Sequence, residues 1–144
     1  MVKNCQAIRF LIVDDDSVCV MAMQRAMRKL GIENDVAVCS DGLHALEFLR
    51  AQLDGHGQLP PFIVTLDLNM PRMNGLEFLA AVRADPALSG LVVFVFTTSD
   101  LPSDVQAAYA LNVAGYVIKE NPSETFAHAL GMLQSYSKIV QLPC

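Results

Sequence analysis

The 144-residue chain contains no tryptophan, and aromatics of all kinds make up only 7%. Charged residues are also scarce, at 17%, against 53% hydrophobic. That balance excludes a disordered chain, which needs high charge and little apolar content. No apolar run is long enough to span a bilayer, and no charged region followed by an apolar stretch and a cleavage site opens the sequence. The expectation is a protein of the cytoplasm with no membrane association. Net charge is −5. This argues against non-specific nucleic-acid binding, which depends on Lys and Arg meeting phosphates. The four cysteines, Cys5, Cys19, Cys39 and Cys144, form no Cys-x-x-Cys pair, so a zinc cluster is not expected. They read as small core hydrophobes plus an exposed terminal thiol at Cys144. Gly-rich phosphate loops, repeats and charge blocks are also missing. The length suits a single domain over 1–144.

What is present is alternation. Short β-rich runs at 8–13, 35–40, 62–68, 91–98 and 115–119 are separated by helical stretches at 17–30, 43–53, 76–84, 103–112 and 122–137. Ser17 is positioned to cap the first helix and Gly31 to stop it. Asp41-Gly42 is a turn signal. "DGHGQLPP" at 54–61 is loop by composition, with His56 solvated. "NMPRMNG" at 69–75 is irregular, broken by Pro71 and Gly75. Five strands alternating with five helices define an α/β fold: a parallel sheet with helices on both faces. Such strands are buried on both sides and should be continuously apolar. "FLIV" at 10–13 and "LVVFVF" at 91–96 fit. Ligands of such folds bind beyond the carboxyl ends of the strands.

Those ends carry the chemistry. Asp14 and Asp15 follow the first strand, Asp67 ends the third, Thr97 and Thr98 the fourth, and Lys119 the fifth. Two unit charges 4 Å apart repel by ~4 kcal/mol at an effective dielectric of 20, so clustered carboxylates need compensation. Oxygen ligands without His or Cys favour a hard cation such as Mg²⁺. The competing reading is that the acids are solvated charges at a helix start, which suits Asp16 and Ser17. Cation, hydroxyl and lysine together suit the handling of a phosphoryl group. A carboxylate can itself be the acceptor. Asp67, at the end of the central strand and before a sharp loop, is the best placed.

The segments "VDD" (13–15), "LDLNMPRMNG" (66–75), "TTS" (97–99) and "GYVIK" (115–119) resemble the receiver domain of two-component response regulators. The spacing of Asp67, Thr97 and Lys119 agrees as well. The resemblance covers nearly the whole chain. It implies a flavodoxin-like, CheY-like (βα)5 fold with strand order 2-1-3-4-5. It implies Asp67 as phosphoacceptor. Asp15, Asp67 and the backbone carbonyl of Asn69 would bind Mg²⁺ directly, and Asp14 through a metal-bound water. Thr97 and Lys119 would contact the phosphoryl group. Tyr116 matches an aromatic that turns inward as Thr97 moves, with an ordinary half-buried strand aromatic as the alternative. Ser99 and Asn69 match positions that flank the attacking water and tune phosphoryl lifetime. Gly75 matches a position needing free backbone dihedrals.

Lys119 is followed by Glu120 where receivers usually carry proline, and the proline arrives at Pro122. Because a cis non-proline bond costs ~2.5–4 kcal/mol, the Lys119–Glu120 bond is either trans with a shifted loop or strained for function. Thr98 replaces a usual Ala or Gly and would narrow access. The long loop, "FTTSD" and the tail "IVQLP" resemble receivers served by phytochrome-type sensor histidine kinases. Members of that group form dimers. The chain offers no room for a DNA-binding domain, so the resemblance implies output through a downstream protein target or a homodimer using 102–118 and 138–142. It implies a signalling protein and not a metabolic enzyme. Two rivals remain. A Mg²⁺-dependent phosphohydrolase would carry an acid where Asn69 stands. A degenerate receiver that only binds partners would not need all of Asp14, Asp15, Asp67, Thr97 and Lys119. The metal pair could also be Asp15 and Asp16 if the register slips by one. Val13 as the last apolar strand residue favours Asp14 and Asp15.

Overall fold

The computed structural model describes residues 7–119 and 122–142, and side chains from 127 onward in the last helix. The Lys119–Glu120 bond, Cys5 and Cys144 lie outside the described residues. The elements alternate as expected: β1 (Arg9–Val13), α1 (Ser17–Lys29), β2 (Val36–Cys39), α2 (Gly42–Ala51), β3 (Phe62–Leu66), α3 (Gly75–Ala84), β4 (Val92–Thr97), α4 (Pro102–Ala110), β5 (Gly115–Ile118) and α5 (Pro122–Ile139). The five strands form one parallel sheet in the order β2-β1-β3-β4-β5.

Strand alternation divides the core in two. Leu11, Val13, Val64, Leu66, Val93 and Val95 face α2, α3 and α4. Phe10, Ile12, Ile63, Phe94 and Phe96 face α1 and α5. Every residue of β3 is buried, so the central strand carries no polar face, as a parallel strand covered by helices on both sides requires. Each fully buried Leu, Ile or Phe contributes ~1.5–3 kcal/mol, and that apolar slab carries the acids at its rim. Leu142 also packs onto the second cluster, so this tail residue belongs to the core edge.

Local chemistry corrects three readings. The cap of α1 is Asp16 and not Ser17: its carboxylate accepts from the N–H groups of Val18 and Cys19. Gly42 is no turn residue but the first residue of α2, capped by Asp41. Gly75 does not need a left-handed conformation, since the glycines with positive φ among the described residues are Gly31 and Gly57. It needs space. A Cβ there would lie 2.5 Å from the Asp67 carbonyl oxygen and 2.7 Å from Leu68 Cα. Gly31, with φ +72°, does stop α1 as expected.

The loop 54–61 is closed by its own contacts. The Asp54 carboxylate accepts from the N–H groups of His56 and Gln58, and the Asp54 N–H donates to the Gln58 carbonyl at 2.8 Å. These backbone bonds hold the Asp54 carboxyl below its ordinary value. His56 is exposed, as expected. At the same end of the sheet, Arg83 donates to the carbonyls of Ser89, Leu91, Leu111 and Asn112, joining α3 to two connections.

Gly75→Ala is expected to destabilise the protein by several kcal/mol, because the added carbon meets the backbone of Asp67 and Leu68, which cannot swing aside as a side chain can. Thr65 is 4% exposed and its hydroxyl has no hydrogen-bond partner among the described residues. Thr65→Val should therefore be neutral or stabilising by up to ~1 kcal/mol. Urea unfolding of both variants checks the pair.

Candidate functional site

The sheet ladder continues one residue past three strands. The Asp14 N–H donates to the Cys39 carbonyl at 3.0 Å, the Asp67 N–H to the Val13 carbonyl at 2.9 Å, and the Lys119 N–H to the Thr97 carbonyl at 2.8 Å. Backbone bonds therefore fix all three residues at the carboxyl rim. Asp14, Asp67 and Thr97 are buried, whereas Asp15 is exposed. Carboxylate oxygens of Asp14, Asp15 and Asp67 lie within 4.8 Å of one another. The register with Asp14 and Asp15 at the site is thus the one observed, and Asp16 is spent on capping α1.

Lys119 reaches into this cluster from β5. Its ammonium lies 2.8 Å from Asp14 Oδ2 and 3.6 Å from Asp67 Oδ2, with its side chain 7% exposed. The free oxygens are partly committed as well: Asp14 Oδ1 accepts from the Asp16 N–H, and Asp67 Oδ1 from the Asn69 N–H at 3.2 Å. Asn69 itself is exposed beside the cluster. Burial pushes the Asp67 carboxyl above its ordinary value, against the opposing pull of Lys119, the Asn69 N–H and the Thr97 hydroxyl; Asp14 adds to the rise. Burial works against the Lys119 ammonium, but the hydrogen bond to Asp14 and the charges of Asp67 and Asp14 outweigh it and hold it above the usual lysine range. Three carboxylates against one lysine leave an excess of negative charge in a half-dry pocket. An all-oxygen donor set with that excess fits a divalent hard cation.

Thr98, the residue after β4, is exposed. The Tyr116 hydroxyl donates to the Ser99 carbonyl at 2.9 Å. Burial raises its phenol above the ordinary value, the bond to Ser99 opposing. The loop after Asp67 is tied to α2. The Gly42 N–H donates to the Met73 carbonyl, and Arg72, with φ +66°, lies 3.6 Å from Asp41. Asp41 is a further buried acid at a strand end, and the same end-of-strand rule would have found it in the sequence. Cys19 was legible only as a core residue. It lies beneath the Lys119–Asp14 pair, near enough for both to act on its thiol.

A fold of this topology with acids, hydroxyl and lysine on one rim is that of a receiver, and the chain belongs to the response regulator receiver domain family, whose profile matches residues 10–130. It is a two-component signalling protein of the CheY-like kind. In particular, it is 32% identical over 134 residues to the response regulator Rcp1 of Synechocystis sp., covering 92% of this chain and 91% of Rcp1. The crystal structure of the Mn²⁺-bound form of Rcp1 superposes with a TM-score of 0.82 at 31% identity, covering 96% of this chain and all of that one. The phosphorylated cyanobacterial phytochrome response regulator RcpA superposes with a TM-score of 0.83 at 28% identity, with the same coverage.

Two predictions separate the neighbouring aspartates and the buried thiols. Asp15→Ala should weaken Mg²⁺ binding severely and leave stability nearly unchanged. Asp16→Ala should cost ~1 kcal/mol of stability through the lost cap and leave Mg²⁺ binding nearly unchanged. Titration calorimetry and urea unfolding read the two effects, and equal losses of affinity would refute the assignment. Burial pushes the thiols of Cys19 and Cys39 up to about 11. At pH 8 only about one in a thousand is then thiolate, the reactive form. Both should resist iodoacetamide in the folded protein and react on unfolding, as peptide mass spectrometry would show.

Proposed function

We propose that this chain accepts a phosphoryl group on Asp67 from a sensor histidine kinase and passes the signal on through protein contacts. The observation that carries this reading is the setting of Asp67. It ends the central strand, is buried, and is flanked by Lys119 at 3.6 Å and by Asp14 and Asp15. Phosphorylated RcpA and Mn²⁺-bound Rcp1 support it by likeness.

In the transfer, an oxygen of Asp67 forms a bond to phosphorus as the bond from phosphorus to the donor histidine nitrogen breaks, its electron pair leaving with the imidazole. Asp14, Asp15, Asp67 and the Asn69 carbonyl would hold Mg²⁺, which neutralises the phosphoryl oxygens when bound. Lys119 moves its charge from Asp14 and Asp67 toward the new phosphoryl oxygens. The Thr97 hydroxyl donates to one of them, and Tyr116 follows Thr97 inward. Desolvation strengthens each of these interactions. The chain catalyses its own phosphorylation and hydrolysis and turns over no metabolite.

The likeness to a phytochrome response regulator supports a phytochrome-type kinase as donor. One receiver domain over 1–144, in the cytoplasm and without direct DNA binding, completes the reading. No helix among the described residues is long and apolar enough to cross a membrane. Leu101, Tyr109 and Ile139 are exposed, Ile139 at 81%, and support a homodimer or target surface along α4, β5 and the end of α5.

Incubation with Mg²⁺ and acetyl phosphate should add the mass of one phosphoryl group to the wild type and none to Asp67→Asn. An unlabelled wild type would overturn the reading, and labelling of Asp67→Asn would move the site. Sedimentation at micromolar concentration should give a dimer that Ile139→Asp dissociates. A wild-type monomer would remove the dimer from the proposal.

A further inference from the structure

The loop that follows Asp67 is bent against its preference and pinned from outside. The Met73 N–H donates to the Pro71 carbonyl at 2.8 Å, with Arg72 between them at φ +66°. A three-residue turn with positive φ is rare and strained, and a residue other than glycine holds it only where the surroundings impose it. Here the surroundings are the start of α2. The Gly42 N–H donates to the Met73 carbonyl at 3.2 Å, and a Cβ on Gly42 would lie 2.9 Å from that same oxygen. Arg72 Nε stands 3.6 Å from Asp41 Oδ2, the Arg72 side chain 62% exposed and that of Asp41 8%. The other Asp41 oxygen accepts from the His44 N–H at 2.7 Å. A pair exposed on both sides would count for little, but a buried carboxylate that loses its partner keeps an uncompensated charge. In the sheet β1 lies between β2 and β3. The tie from Arg72 and Met73 to Asp41 and Gly42 therefore joins the exits of the two strands that flank Asp14 and Asp15.

We propose that Arg72 is a positioning residue for cation binding: its pair with Asp41 holds the loop in the bent form that keeps the Asn69 carbonyl beside the three aspartates. The inference rests on Asp14, Asp15, Asp67 and that carbonyl as the Mg²⁺ site. Asn69 stands three residues before Arg72, and its N–H is already committed to Asp67 Oδ1 at 3.2 Å. The direction of its carbonyl is then set by the residues that follow, which the tie to α2 restrains. Mg²⁺ tolerates little misplacement of its oxygen ligands, so a loosened loop binds it less well. A role of Arg72 as a mere charge has the opposite sign. A cation near the site repels Mg²⁺, and removing it would tighten binding.

The test is titration calorimetry with Mg²⁺ alone, on wild type, Arg72→Ala, Arg72→Gly, Arg72→Lys, Asp41→Asn and the Arg72→Ala/Asp41→Asn double variant, each shown by circular dichroism to be folded. Arg72→Ala should weaken Mg²⁺ binding about threefold to tenfold, the value of one polar contact. Arg72→Gly relieves the turn but loses the pair, and should weaken it as well. Arg72→Lys keeps the charge without the planar fork and should recover part of the loss. Asp41→Asn keeps an oxygen to cap α2 and should weaken binding as Arg72→Ala does, with no further loss in the double variant. Hydrogen exchange of the Gly42 N–H, followed by NMR without Mg²⁺, should speed up in Arg72→Ala and so report the loop independently of the metal. Unchanged or tighter Mg²⁺ binding in Arg72→Ala, wild-type affinity in Arg72→Gly, additive losses in the double variant, or unchanged Gly42 exchange would each overturn the inference alone. No Mg²⁺ uptake by the wild type would overturn it together with the metal-site reading.

Discussion

The pairing of Lys119 with Asp14 and Asp67 makes the rest of the rim possible. Carboxylates removed from water and set near each other are costly in two ways, through desolvation and through mutual repulsion. A buried ammonium at 2.8 Å from one and 3.6 Å from the other offsets part of both. It does not offset all, because Asp15 adds a third negative group. The remaining excess, on an all-oxygen donor set, is what fits the pocket to a divalent hard cation. A site balanced to neutrality would have no such appetite.

The sheet delivers these groups with little freedom. The ladder bonds made by the N–H groups of Asp14, Asp67 and Lys119 place three side chains that are distant in sequence. α1 begins immediately after the acids, and its cap divides the run of three aspartates into two for the site and one for the helix. Gly75 lets α3 begin against the carbonyl of Asp67 itself, so the loop after Asp67 returns tightly to the sheet. Arg72 and the Gly42–Met73 bond fasten that loop to α2. Asp67 is thus held by the sheet ladder before it and by a fastened loop after it.

The architecture was legible in the sequence because its signals are local. Apolar runs such as "LVVFVF" mark strands buried on both faces, and polar residues at their ends mark the rim. Asp14, Asp15, Asp67, Thr97 and Lys119 could be grouped before any geometry was known, since a parallel sheet has one carboxyl edge. What escaped depended on distances that no spacing encodes. Asp16 and Ser17 are equally good caps by type, and only the backbone at 16 chooses between them. Gly75 was legible as a required glycine, but for the wrong reason, because the obstruction is the backbone of Asp67 and Leu68 just past β3. The contact of Cys19 with Lys119 and the short bond of Ser99 to Asp104 join different elements without a periodic signature.

The loop 54–61 carries a consequence of another kind. Asp54 closes it with backbone bonds of its own, and it adjoins the start of β3, the far end of the strand that terminates in Asp67. A surface segment that supplies its own closure places few demands on its neighbours. It is consequently the natural seam for splicing in foreign sequence. A fluorescent module or an affinity tag grafted at Gly55 would travel with the molecule while leaving the charged end of the sheet unobstructed.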